Sequence, residues 1–174
     1  MILATTILGA GKQVFIMDLR ATLRHARGMA IRIEPATSLG SDLDPLVAEA
    51  DAEGHLFMRR MRDAWETHEN RFDRPGELLL TARIEGRLVG IGGLNRDPYA
   101  QAEGIGRLRH LYVARSARRL SVGTLLVRRI LAHAAPHFSV VRLRTLSPDA
   151  AAFYARLGFQ PTDQPDATHI LPLC

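Results

Sequence analysis

Residues 108–124 read LRHLYVARSARRLSVGT, and this stretch decides how the chain is built. It opens as a strand. A strand alternates faces with period two, so Leu108 and Leu111 share a face only if one extra residue is inserted; a β-bulge is expected near 109–112. A short basic loop follows, and then a helix from Val122, with Ser121 placed to cap it. A helix start presents unpaired N–H groups and the positive end of a dipole, and both favour phosphate. Arg115, Arg118 and Arg119 add formal charge at the same place. Arginines that merely solvate a loop are the plainer alternative. The coincidence of loop, helix start and charge favours an anion site.

The elements on either side follow from the same periodicities. Ala30 to Glu34 alternates as a strand and stops at Pro35. Asp44-Pro45 reads as an N-cap with proline in the first turn of a helix that runs to about Gly54. Phe57, Met61, Ala64, Trp65 and His68 are spaced as one face of a second helix over 55–69. Leu78–Ile84 and Leu88–Leu94 are two strands joined at Glu85-Gly86, a hairpin signal. Gly90, Gly92 and Gly93 inside a strand point to close backbone approach or a bulge. Downstream, Val140–Leu146 is a strand. Ser147-Pro148-Asp149 starts a helix that Gly158 ends, and short strands begin at Phe159 and Thr168. The order is β-α-α-β-β-β-α-β-α-β-β, an α/β (α+β) chain.

Composition bounds the answer further. The 174 residues suit one domain. No apolar run approaches the ~20 residues of a membrane span. Cys174 is the sole cysteine, which excludes an internal disulfide and a Cys-based metal site and fits a reducing, bacterial-type cytoplasm. Of the 23 basic residues only Lys12 is lysine, and the net charge is +5. That total raises nucleic acid as a partner, but the chain lacks an interleaved aromatic and basic platform or a helix-turn-helix reader. No nucleic-acid or membrane partner is expected. Residues 29–103 hold nine basic and fourteen acidic side chains, residues 104–174 ten and three. The front half is acidic and the back half basic. Residues 1–28 match neither a signal peptide nor a phosphate loop. They are expected to be an extension outside a single domain at 29–174, with a helix over 17–27 as the second option.

Residues 29–173 resemble the GNAT superfamily of N-acetyltransferases. The family's acetyl-CoA motif, Arg/Gln-x-x-Gly-x-Gly/Ala after a strand ending in Tyr-Val, stands here as Arg118-Arg119-Leu120-Ser121-Val122-Gly123 behind Leu111-Tyr112-Val113. Its second mark stands as Phe153-Tyr154-Ala155-Arg156-Leu157-Gly158-Phe159. The resemblance implies a mixed, mostly antiparallel sheet of about six to seven strands flanked by about four helices, with two strands splayed at the bulge. It also implies direct transfer of an acetyl group from acetyl-CoA to an amine without a metal. The acetyl-CoA contacts carried over are Leu111, Tyr112, Val113, Arg118, Arg119, Leu120, Ser121, Val122, Gly123, Thr124 and Ser147. Ser121 departs from the motif's glycine and is expected to cap the helix or offer its hydroxyl to phosphate. Ser147 stands where many members have asparagine, and capping is its expected role.

Acyl transfer needs a base for the amine, a donor for the oxyanion and an acid for the thiolate. The resemblance gives the backbone N–H of Val113 as oxyanion donor and Tyr154 as acid. Phe153 and Leu157 form an apolar i,i+4 pair, with Tyr154 turned off that stripe. His110, with an unperturbed pKa near 6.5, is the candidate base, although a surface strand histidine is as good a reading. Glu103, Glu66 and Glu69 are weaker options. His133 and His137 are separated by the helix-ending Pro136 and are not read as a metal pair. Trp65, Asn70, Phe72, Asn95 and Tyr99 are the acceptor-pocket candidates, on an acidic side that suits a cationic amine. A small-molecule amine is the expected acceptor, a homodimer is compatible, and a protein or peptide amine or a non-catalytic acyl-CoA sensor are the alternatives.

Overall fold

The computed structural model describes residues 30–173 and the backbone of Thr22–Arg24. Within 1–28, those three residues form strand β1 and pair antiparallel with β2 (Ala30–Pro35), so the helix over 17–27 does not form there. Then come α1 (Asp44–Ala52), α2 (Phe57–Glu66), β3 (Leu78–Ile84), β4 (Arg87–Arg96), β5 (Ile105–Val113), α3 (Val122–Ala134), β6 (Val140–Leu143), α4 (Pro148–Ala155), β7 (Gln160–Pro161) and β8 (His169–Pro172). They build one eight-stranded sheet in the order β1-β2-β3-β4-β5-β6-β8-β7, antiparallel except for the β5–β6 pair.

The strand glycines of β4 set the layering. A Cβ on Gly93 would lie 2.4 Å from the Phe72 ring, behind α2, and one on Gly92 would lie 3.2 Å from Ile130 of α3. Adjacent strand residues face opposite ways, so α2 and α3 cover opposite faces. Both glycines let a large side chain reach the backbone. The apolar faces follow helical spacing: Leu46, Val47 and Ala50 on α1, Met58, Met61 and Trp65 on α2, and Val122, Leu126 and Ile130 on α3 are buried. Two helical readings shift. Asp44 is the first residue of α1, preceded by a 3-10 turn over Ser41–Leu43, and no side chain caps that helix. On α2, Met58 takes the core place expected of Phe57, while His68 is exposed in a left-handed turn past the helix end. Glu85 and Gly86, both at positive φ, close the β3–β4 hairpin as expected.

The bulge positions the site. Ile91 pairs with Tyr112 but Gly93 with Arg109, so Gly92 faces two residues, His110 and Leu111. His110 takes the extra place with φ +55. On its other edge β5 pairs with β6 only over Ile105–Arg107. Beyond Leu108 the two parallel strands separate, and the gap stays open.

Candidate active site

The loop from β5 to α3 works through its backbone more than its charges. Arg119 and Ser121 both adopt left-handed backbone, with φ of +62 and +64. Ser121 occupies the N-cap position of α3 but its side chain caps nothing; its carbonyl accepts the Leu125 N–H at 3.0 Å. The expected capping role is therefore wrong: a left-handed residue aims its side chain away from the first turn, and this is a position where glycine is the unstrained choice. Arg115 and Arg118 are also not free cations. Both donate to Glu53, at the end of α1, and Arg118 donates in addition to the Val113 carbonyl at 3.1 Å. The Tyr112 hydroxyl shares its one proton between Glu53, at 2.9 Å, and Glu49, at 3.0 Å, and Glu49 takes the Arg115 N–H as well. The hydrogen bond from Arg118 holds the Glu53 carboxyl down at about 2; burial opposes this, and Arg115 and the Tyr112 hydroxyl reinforce it. Arg119 has no carboxylate within ion-pair distance among the described residues. It is the cation this loop leaves for an anion.

A groove of about 1160 Å³ follows the opened strands. Leu108–Val113 form one wall and Leu143–Ser147 the other, with the α3 start and α4 closing its end. Every residue expected to hold acetyl-CoA lines it except Leu120, which packs against the core. Gly123 faces Phe153 and Val113 with room for ordinary contact only. Ser147 caps α4, its Oγ accepting the Ala150 N–H at 3.3 Å. The Ala114 N–H donates to Val89 O. Antiparallel pairs alternate, so Gly90–Val113 is the unbonded pair, and the Val113 N–H points away from β4, to the side where β6 has departed. Tyr154 lines the groove too. It is the buried residue of α4, packed between Phe153 and Phe159, whereas Phe153 and Leu157 keep partial exposure. The stripe on α4 is the reverse of the one expected. Burial pushes the Tyr154 phenol above its ordinary range, so it stays protonated.

A second cavity, about 550 Å³, lies on the α2 side of β5. Arg109 and His110 line both cavities, because the bulge rotates the strand between them. Burial, with the charge of Arg109, lowers His110 to about 4, against a hydrogen bond to the Phe57 backbone that works the other way. Its Nδ1 is buried without a partner. The imidazole is thus neutral at pH 7 and a weaker base than an ordinary histidine.

A model of the acetyltransferase (GNAT) family matches residues 45–159. The chain belongs to that family. Among solved structures, a protein from Exiguobacterium sp. 255-15 assigned to the acetyltransferases is 28% identical, with a TM-score of 0.73 over 82% of this chain and 93% of its own. A GNAT-family acetyltransferase from Staphylococcus aureus Mu50 is 20% identical, with a TM-score of 0.67 over 83% and 100%. The GNAT-family N-acetyltransferase YhbS of Escherichia coli, solved with CoA, is 17% identical, with a TM-score of 0.61 over 91% and 84%. Among curated proteins none matches.

In this acetyltransferase the expected acceptor residues divide. Asn70 and Asn95 line the second cavity and bond each other reciprocally at 3.1 and 3.0 Å, with Asn70 Oδ1 also taking the Phe72 N–H. Trp65 and Phe72 are core residues, Arg71 lying over the first and Gly93 under the second. Tyr99 lines the groove instead, with Arg107 stacked on its ring at 4.8 Å. Of the weaker base options Glu69 lines the cavity; Glu66 and Glu103 are exposed and do not. Sequence reading missed Glu53 and Glu77. Glu53 carried no signal, since its partners lie more than fifty residues away. Glu77 sits between a turn and a strand, where an acid looks solvated, yet it is buried and takes the Arg96 N–H. Among the described residues no group of three or more His, Cys, Asp or Glu gathers as a metal site, and no helix is long and apolar enough to cross a membrane.

Proposed function

We propose that this chain transfers an acetyl group from acetyl-CoA to a primary amine by direct attack while both are bound. One observation carries this reading: the two cavities beside β5 share Arg109 and His110 as lining, where the strand enters its bulge. Each can hold one substrate, and the reacting atoms would meet beside these two residues. The groove suits the cofactor: left-handed turns at Arg119 and Ser121, the N–H groups of the α3 start and the unpaired Arg119 suit a pyrophosphate. Leu111, Val113 and Phe153 supply an apolar wall farther along.

The Val113 N–H, free of β4, is set to stabilise negative charge on the acyl oxygen as the amine nitrogen attacks the carbonyl carbon. As the carbon–sulfur bond breaks, Tyr154 gives a proton to the sulfur, whose thiol has a reference pKa of roughly 8.5. His110, uncharged at neutral pH, accepts the proton the amine loses. Residues 29–174 hold every group named, so removing 1–28 is expected to leave acetyl-CoA binding intact.

Binding and chemistry are separable by experiment. Acetyl-CoA is expected to raise the melting temperature, and thiol release is expected with an amine present. Tyr154→Phe should lower kcat about 100-fold, the low end for loss of a general acid, and keep the acetyl-CoA thermal shift. Unchanged kcat in that variant refutes Tyr154 as the acid. No thermal shift at millimolar acetyl-CoA refutes the groove assignment.

A further inference from the structure

The acceptor cavity does not have the charge its sequence segment suggests. Residues 29–103 are acidic as a whole, but the cavity wall carries four arginines, Arg60, Arg74, Arg96 and Arg109, against three acids, Asp63, Glu69 and Glu77. Among the described residues none of the four arginines has a carboxylate within ion-pair distance, while Asp63 lies 3.7 Å from Arg62. Glu77 receives only a neutral backbone N–H, from Arg96. The wall therefore carries four guanidinium groups against three carboxylates, one of which, Asp63, shares Arg62 with Asp44 and Glu66; Arg96 also donates to the Pro75 carbonyl at 3.5 Å, and the mutually bonded Asn70 and Asn95 line the same concavity.

Arg60, Asp63, Ala64 and Thr67 fall at i, i+3, i+4 and i+7, which is one helical face turned to the cavity. A concave site concentrates the field of whichever sign is in surplus, here the guanidinium groups. A polycationic amine would meet four like charges there, and like-charge placement is disfavoured. A guanidinium fork offers a carboxylate or phosphate paired, charge-assisted hydrogen bonds. The two remaining acids, Glu69 and Glu77, give an arriving ammonium its own partner.

We propose that the acceptor is a small amine carrying an anionic group, a carboxylate or a phosphate, away from its nitrogen, and that the cavity arginines bind that group. This rests on the acetyl-transfer reading above and narrows its substrate.

The test keeps the amine constant and changes the far end. γ-Aminobutyrate, butylamine and putrescine share a four-carbon primary amine and end in an anion, a methyl group and a cation; O-phosphoethanolamine supplies the phosphate. With acetyl-CoA saturating, kcat/KM from thiol release is expected to be about tenfold or more higher for an anionic acceptor than for butylamine, the scale of a hydrogen bond to a charged group. Putrescine is expected to fall below butylamine. The better of γ-aminobutyrate and O-phosphoethanolamine tells carboxylate from phosphate. In Arg60→Gln with Arg74→Gln the anionic-to-neutral ratio should drop about tenfold. Equal or better turnover of butylamine or putrescine overturns the inference and leaves acetyl transfer standing. If no amine releases thiol, acetyl transfer falls, and titration of γ-aminobutyrate and O-phosphoethanolamine onto the CoA-saturated protein decides the anion site. Binding that the double variant loses supports it; no binding, or binding the variant keeps, overturns it.

Discussion

Two groups of arginines, one in the loop after β5 and one around the second cavity, differ in what surrounds them. In the loop after β5, Arg115 and Arg118 are tied to Glu53, so their charge is spent on fastening that loop to α1. Around the second cavity, Arg60, Arg74, Arg96 and Arg109 have no carboxylate within ion-pair distance among the described residues. The same side chain is a structural clasp in one place and lacks a carboxylate partner among the described residues in the other. The difference lies in whether a carboxylate from a distant element reaches it. A basic motif is therefore weak ground for an anion site until its neighbours are known.

Breaking the clasp should have the largest effect on the fold. Glu53→Gln removes the charge that three donors share, and should cost about 2–3 kcal/mol, the scale of hydrogen bonds to a charged group, or a drop in Tm of about 4–12 °C by thermal denaturation. Acid should do the same to the parent. Glu53 is held below its unfolded value, so its stabilisation is complete above about pH 4.5 and is lost as pH falls toward about 2. An unchanged Tm in Glu53→Gln would erase the contrast between the two arginine groups.

His110, where the cavities meet, titrates in a different window. Its folded value near 4 lies below the unfolded 6.5, so the unfolded chain binds the proton first and stability declines from pH 6.5 toward 4. The loss reaches about 2 kcal/mol at pH 5. Comparing denaturant unfolding at pH 7 and pH 5 in the parent and in His110→Gln should show the difference shrinking in the variant. Ser121→Gly should gain roughly 1 kcal/mol by relieving left-handed strain, less what glycine gives back in the unfolded chain; a loss of stability would mean that the serine side chain carries weight that its lack of a capping bond conceals. Least of all, Arg60→Gln should shift folding stability by no more than about 0.5 kcal/mol, as for an unpaired surface residue. A larger cost would show that the cavity arginines are structural too.

Much of this was legible beforehand. The bulge followed from Leu108 and Leu111, which a regular strand cannot place together, and His110 occupies the extra position. The hairpin at Glu85-Gly86 and the cap at Ser147 followed from local turn and cap chemistry. Ten of the eleven residues carried over for acetyl-CoA line one groove. The failures share a cause. Ser121 was read from its side chain, while its backbone angle was set by how the loop enters α3. Trp65 reads as a core residue of the α2 stripe and as a pocket candidate, and Phe72 as a pocket candidate, because aromatic rings serve both core and ligand; both are core. The acidic front half reads first as a solvated face and second as an acidic acceptor side, and net charge along a segment says little about which side chains converge.

The sequence by itself determined what is encoded over a few residues: strand and helix periods, the bulge, the turns and the motif that marks the family. Only the tertiary structure decided which arginines are spent and which are available. Glu53 reaches Arg115 and Arg118 across more than sixty positions, and four arginines from α2, the loop before β3, the end of β4 and the bulge of β5 come to one cavity. Charge compensation acts through space over a few ångströms. No local pattern in the chain records it, so which charges meet in a cavity of this chain belongs to the fold.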